Sequence, residues 1–460
     1  MKPGLLGGPG FFLRMRICFI LFALVGLTAL AAVSRTFTSF ADIKAILAAG
    51  LDQAPSDLTT SAKWSDWARR QDAAIRTRLE QGDLDSMVNL LLLGSSFTGQ
   101  PRVTTETLSE ATRSGVLRAR VDDMVAGIRN PGSNERLVFV RGLLDRRGID
   151  PQSPAAGRFL YDNLLRELQQ QRDLAARAAE IRQRNATADP SQLLDRESVF
   201  ATRGVSLDTS ILPNFAIEQA LQDLKDRGVL RDGQLARVAV VGPGLDFIDK
   251  NDEAAYDYYP QQTLQPFALY DSILRLNLGK PNLSMTILDM SPRVLQHVQH
   301  ARDRAKDGYT IQLPRDPAFT WPPALMQYWN RFGDHIGASV APLSPPAAFP
   351  ALATRAVRVR SDVVLASSAI DLNIVVQRLN LPPKDRFDLV VGTNIFVYYD
   401  RFQQALALEN VGAMLKSGGL LLTNDRLPAV AGGLMHEAGV TEIRYDGQGE
   451  REAIGWYRRR

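Results

Sequence analysis

The stretch Val238-Ala-Val-Val-Gly-Pro-Gly-Leu-Asp-Phe247 constrains this chain more than any other. A β-branched apolar run has the composition of a strand buried on both faces, and it stops at two glycines one residue apart. Glycines in that position give a tight turn with bare backbone, which lets a ligand approach the end of the strand. A nucleotide-binding turn is therefore expected, provided that the strands and acids of a doubly wound sheet follow it.

The remaining composition narrows the choices. With 460 residues, 45% of them hydrophobic and 23% charged, the chain is long enough for two or three domains with their own cores. The net charge is only +4 and the basic residues are dispersed, so no nucleic-acid partner is expected. The only cysteine is Cys18, which excludes disulfides, cysteine zinc sites and a cysteine nucleophile from the folded part. Four histidines form no ligand cluster, and His297 and His300 share a helix face that reads as solvated; no metal is expected.

The first 34 residues form a separate unit. Lys2, Arg14 and Arg16 precede an unbroken apolar run from Ile17 to Val33, near the lower length limit for a spanning helix. Such a run meets a membrane or a translocon, either as an uncleaved anchor or as a signal peptide cut after its small residues. A membrane partner and a membrane-anchored or exported location follow from either reading.

Residues 35–200 read as an all-helical domain. Trp64, Trp67, Ile75 and Leu79, then Leu84, Met87, Val88, Leu91 and Leu92, recur at helical spacing, with breaks expected at Gly82-Asp83 and Gly94-Ser95. The tryptophans suit core packing better than a ligand cage. Residues 185–198 have the polar composition of a linker.

Residues 201–460 alternate strands and helices. After the glycine turn comes Leu283-Ser-Met-Thr-Ile-Leu-Asp-Met-Ser-Pro292, a strand that ends in an acid and enters a helix through a proline suited to its first turn. In a doubly wound sheet that acid, Asp289, lies beside the first turn and can accept both hydroxyls of a ribose. Phe387-Asp-Leu-Val-Val-Gly-Thr-Asn394 gives a further strand, and Leu420-Leu-Leu-Thr-Asn-Asp425 another after a glycine helix cap. Two alternating segments, 441–445 and 452–457, close the chain as an antiparallel hairpin.

The ordered set Val-Val-Gly-Pro-Gly-Leu-Asp, Ile-Leu-Asp-Met-Ser-Pro, Phe-Asp-Leu-Val-Val-Gly-Thr-Asn and Leu-Lys-Ser-Gly-Gly-Leu-Leu-Leu resembles the class I S-adenosylmethionine-dependent methyltransferases. The stretch from 387 to 424 is most similar to the chemotaxis-receptor methyltransferases. The resemblance implies a seven-stranded Rossmann-like α/β sheet and S-adenosylmethionine as cofactor. It also implies backbone at Gly242 and Gly244 under the methionine part, Asp289 on the ribose, Asn394 lining the pocket and Asp371 near the adenine. The acid that commonly precedes the first glycine is replaced by Val240, and the third glycine by Asp246. Asp246 either takes over the cofactor's ammonium group or only stabilises its own turn.

A methyl acceptor, small molecule or protein side chain, is the remaining partner. Methyl transfer is an in-line displacement, so a base is needed only for an acceptor that arrives protonated. Asp246, Asp257, Tyr398 and Tyr399 are the candidates. Asp388, at the start of its strand, reads as strand-end polarity. The insertion at 308–354, rich in aromatics and proline, either caps the pocket or packs against the helical domain; Trp329 and Phe332 suit packing, and Tyr256, Tyr258 and Tyr259 suit the pocket. Two other readings stay open. One is a catalytically inactive, membrane-tethered scaffold of the same shape. The other is a nicotinamide-dependent dehydrogenase, whose ribose acid would follow the turn by about 20 residues.

Overall fold

The computed structural model describes residues 34–104, 107–185, 203–205, 210–245, 256–318, 320–347, 349–445 and 451–460, with side chains of 171–185 excepted. The apolar run at 17–33, the linker beyond residue 185 and Asp246 lie outside the described residues. Among those described, no helix is long and apolar enough to cross a membrane.

In chain order, β1 (Arg35–Phe37), α1 (Lys44–Ala48), α2 (Ser61–Leu93), α3 (Leu108–Ser114), α4 (Val116–Arg129), α5 (Glu135–Asp145) and α6 (Pro154–Asn185) come first. Then follow α7 (Leu212–Asp226), β2 (Leu235–Val241), α8 (Gln265–Arg275), β3 (Gly279–Asp289) and α9 (Pro292–Asp303). The insertion contributes β4 (Tyr309–Arg315), α10 (Pro323–Arg331), β5 (Gly337–Val340) and β6 (Ala353–Val359). The chain ends with α11 (Ser361–Ala366), β7 (Ser367–Asp371), β8 (Gln377–Leu379), β9 (Phe387–Val391), α12 (Arg401–Met414), β10 (Leu415–Thr423), β11 (Met435–Arg444) and β12 (Arg451–Arg459).

The main sheet has seven strands in the order β11-β12-β10-β9-β2-β3-β7. The five strands from β10 to β7 run parallel, and β12 and β11 close one edge as an antiparallel hairpin. This is the arrangement that the methyltransferase resemblance implies. Strand order reverses beside β2, so the crevice for a ligand lies at the carboxyl ends of β2, β3 and β9. Apolar side chains of the β-strands alternate between two cores. Val238 and Val240 face α7 and α8, whereas Ala239 and Val241 face α2 and α12.

The expectation of a separate all-helical domain fails. β1 pairs with β8, and the first half of α2, through Trp64, Trp67, Ala68 and Ile75, is built into the core under the main sheet. Trp64 stacks on Trp67 at 5.1 Å and donates its ring N–H to Thr38 at 2.6 Å, so the tryptophans are core. Only the second half of α2, from Leu84, joins α3 to α6 in a helical core of its own.

The break expected at Gly82 is also absent: α2 runs through it. The glycine serves a close approach, because a Cβ there would meet the carbonyl oxygen of Val205 at 1.8 Å. Gly418 and Gly419 likewise do not cap α12, which ends at Met414; they lie in an irregular stretch inside β10, between the paired residues Leu415 and Leu420. The insertion forms a three-stranded antiparallel sheet, β4-β6-β5, that packs with α10 against α7 and α8. Trp329 and Phe332 are buried in that contact, packed against the sheet's own helices and not against the helical region at 35–200. His297 corrects the expectation of a solvated face, since it shares a 2.8 Å hydrogen bond with the Tyr309 hydroxyl of β4.

Candidate functional site

β2 delivers the chain into the turn at Gly242 and Gly244, both with left-handed φ values, 62° and 67°. The Gly242 amide donates to Leu288 of β3 at 2.9 Å, which ties the turn to the neighbouring strand one residue before its terminal acid. A Cβ on Gly242 would come within 2.9 Å of Ile395, so the bend requires glycine for space as well as for φ.

Asp289 ends β3 and faces this bend. One carboxylate oxygen accepts the Ser291 amide at 2.7 Å, and the nearby amides of Met290 and Gly244 favour the charged form. The other oxygen is buried without a partner. Burial, with the charge of Asp371 acting in the same direction, outweighs those amides and pushes the carboxyl up to about 7. A buried acid with one free oxygen beside a bare backbone turn is an unfinished hydrogen-bonding site.

Asp371 ends β7 in register with Asp289. Its carboxylate is already taken by two guanidinium groups, from Arg35 of β1 and, at 2.8 Å, from Arg76 of α2. The acid that the resemblance places near the adenine is thus also an anchor for two of this chain's own cations. Asn394 lies just past β9 with φ 56°; its amide donates to Asn424 Oδ1 and its Oδ1 accepts from Asn424 Nδ2, each at 2.8 Å. Asn424 Nδ2 also donates to Glu452, which in turn accepts from the Tyr445 hydroxyl, so the closing hairpin fixes the turn after β9.

The three described base candidates separate. Asp257 is buried and accepts from both amide and hydroxyl of Ser95 and of Ser96, which corrects its assignment as a base: all its capacity holds the turn after α2. Tyr399 is fully buried beside Asp289, and burial raises its phenol well above the ordinary value. A phenol kept protonated is a donor, not a base. Tyr398 is half-buried next to it. Tyr256 and Tyr259 are buried and Tyr258 is half-buried; Tyr256 bonds Asp316 at 2.6 Å and packs on Phe349, and none of the three lines the cavity beside Asp289.

Sequence reading missed the other side of the site. Leu79 of α2 and Val205, from a short strap after the helical bundle, face Gly242, Asp289, Met290 and Tyr399 across a cavity of about 20 Å³, room for about one water molecule. The strap is held by the Val205 amide on the Arg78 carbonyl at 3.0 Å and by Arg78 Nε on the Arg203 carbonyl at 2.8 Å. A glycine inside an unbroken helical pattern, Gly82, was the sequence signal for this contact. Among the described residues, no group of His, Cys, Asp and Glu side chains is arranged to hold a metal ion.

No protein-family model and no curated protein matches the sequence. Among solved structures, the chain is similar to the N-methyltransferase NodS from Bradyrhizobium japonicum WM9, at 13% identity over 54% of this chain and 96% of that one, with a TM-score of 0.26. It is similar also to TrmN from Thermus thermophilus, at 10% identity over 54% and 52% of the two chains, with a TM-score of 0.25. A third is the magnesium protoporphyrin IX methyltransferase ChlM from Synechocystis PCC 6803 with bound SAM, at 9% identity over 53% and 80%, with a TM-score of 0.24.

Proposed function

We propose that this chain transfers a methyl group from S-adenosylmethionine to a small-molecule or protein acceptor at the carboxyl edge of its main sheet. The observation that carries the reading is the free, buried oxygen of Asp289 beside the Gly242-Pro-Gly244 turn. That donor set fits the cofactor: Asp289 for the ribose hydroxyls, Gly242 and Gly244 for close backbone approach, Met290 and Leu372 as apolar walls for a base. Asp371 is left to its two arginines, and Asp246 keeps its two readings. When bound, the cofactor supplies an electrophilic methyl group on a sulfonium. The chain's own part is to orient the acceptor, exclude water and hold Asn394 in place through Asn424. With Asp257 bonded to its serines and Tyr399 kept protonated by burial, an acceptor that arrives with a free lone pair suits the site best.

A second reading, a catalytically inactive, methyltransferase-shaped scaffold, draws on one observation: the cavity of about 20 Å³ is far below the order of several hundred Å³ that such a ligand fills. Calorimetric titration with S-adenosylmethionine and S-adenosylhomocysteine tests both. Micromolar binding that weakens at least tenfold in Asp289→Ala supports the first reading; no binding of either ligand supports the second.

We also infer that the apolar run at 17–33 meets a membrane, as anchor or leader. The Ser34 carbonyl accepts from Asn380, and β1 starts one residue later, so a tether ending at Val33 would leave little slack between fold and bilayer. Protease digestion of intact cells tests the side: protection until lysis overturns an exported domain.

A further inference from the structure

We propose that Leu79 and the strap Arg203–Val205 are an autoinhibitory plug, this chain's own occupant of the slot beside Asp289, which leaves before S-adenosylmethionine enters. The proposal rests on the cofactor reading above and deepens it by assigning the regulation of that site.

The strap is fitted to α2 glycine against glycine. A Cβ on Gly82 would lie 1.8 Å from the Val205 oxygen, and one on Gly204 would lie 2.3 Å from the Gly82 nitrogen. Two backbone-directed bonds and the ion pairs of Arg203 with the buried Glu167 and Asp85 add to its hold. Such a fit places Val205, 2% exposed, beside Leu79 over the acid. A leucine and a valine satisfy the apolar walls of the slot, Met290 and Leu372, but give the free oxygen of Asp289 nothing. A ligand with hydroxyl groups gives both, so it competes with the plug on better terms.

What has to move is small. α2 is anchored at both ends, by Trp64 and Trp67 in one core and by the run from Leu84 to Leu93 in the other, so the helix itself stays. Lifting the strap breaks the bonds just named, and Leu79 then needs only a change of rotamer. The apparent affinity for cofactor is the intrinsic affinity multiplied by the fraction of molecules in which the plug is out.

The test uses the full chain, S-adenosylhomocysteine as the probe, and two variants that leave Asp289 and Gly242 untouched. Gly82→Ala puts a methyl group where the Val205 carbonyl sits while giving α2 a better helix former. Leu79→Ala empties the slot from the other side. Calorimetry is expected to show at least tenfold tighter binding in both variants than in the wild type. Without ligand, the Val205 amide in Gly82→Ala is expected to exchange hydrogen faster while the β3 amides of Met285 to Leu288 keep their rates. Equal affinity in all three proteins overturns the plug and leaves the cofactor reading standing. Unchanged exchange at Val205, or acceleration shared with β3, overturns the plug whatever the titration gives. Faster exchange at Val205 alone, with no binding by any of the three, overturns the cofactor reading and the plug's role with it.

Discussion

Asp257 accepts both the amide and the hydroxyl of Ser95, at 2.6 and 2.7 Å, and repeats the pattern with Ser96. One buried carboxylate thus fastens the end of α2 to the segment that leads into α8. Asp257→Ala leaves four donors without an acceptor and is expected to cost about 3–5 kcal/mol in denaturant unfolding. Asp257→Asn costs less, and in both variants the folded fraction binds S-adenosylhomocysteine as the wild type does. A selective loss of turnover in Asp257→Asn at wild-type stability would return the residue to the list of bases.

Asn394 holds φ 56°, a conformation with a steric penalty for any residue that has a Cβ, and asparagine tolerates it through local hydrogen bonds. Its side chain is paired with Asn424. Asn394→Gly is expected to melt higher than Asn394→Ala, by about 1 kcal/mol in stability, since both lose the amide pair and only alanine keeps the backbone strain. Melting curves of the two variants, equal within error, would remove strain from the account.

Asp388 does more than end a strand politely in water. One oxygen accepts the amides of Ala236 and Arg237 at 2.8 and 2.9 Å, and the other meets Lys416 Nζ at 2.6 Å, which joins β2, β9 and β10 at the edge opposite the slot. Asp388→Ala is expected to lower stability by about 2–4 kcal/mol with ligand affinity unchanged. An affinity change without loss of stability would contradict the placement.

Burial lifts the Asp289 carboxyl to about 7, so between about pH 4, where the unfolded chain releases this proton, and about pH 7, where the folded one does, the folded state holds the extra proton. Its contribution therefore declines as pH rises through that window and is flat above it. Asp289→Asn removes the decline. The stability of the variant minus that of the wild type is expected to grow from near zero at pH 4 to about 4 kcal/mol at pH 8. Denaturant unfolding of both proteins across that range measures it, and other titrating groups cancel in the difference; a flat difference would mean that the acid is not buried as described.

The main sheet was legible because its signals are local. Buried parallel strands are continuous apolar runs, and Gly242, Gly244, Asp289 and Pro292 act on their own backbone or next neighbour, so the order of strands and the place of the turn and acid follow from the chain alone. Asp371 was found for the same reason, at the end of a strand. Its two arginines were not, because residues 35 and 76 are distant in sequence and charges carry no address.

The sequence by itself determined a seven-stranded α/β sheet with a glycine turn and an acid side by side. Only the tertiary structure decided what stands over them. α2 threads two cores at once, Gly82 admits the backbone of Val205 into contact with it, and Leu79 closes the slot. Helical periodicity records which face of α2 is apolar but not which partner covers it, and that choice belongs to contacts between segments more than 100 residues apart.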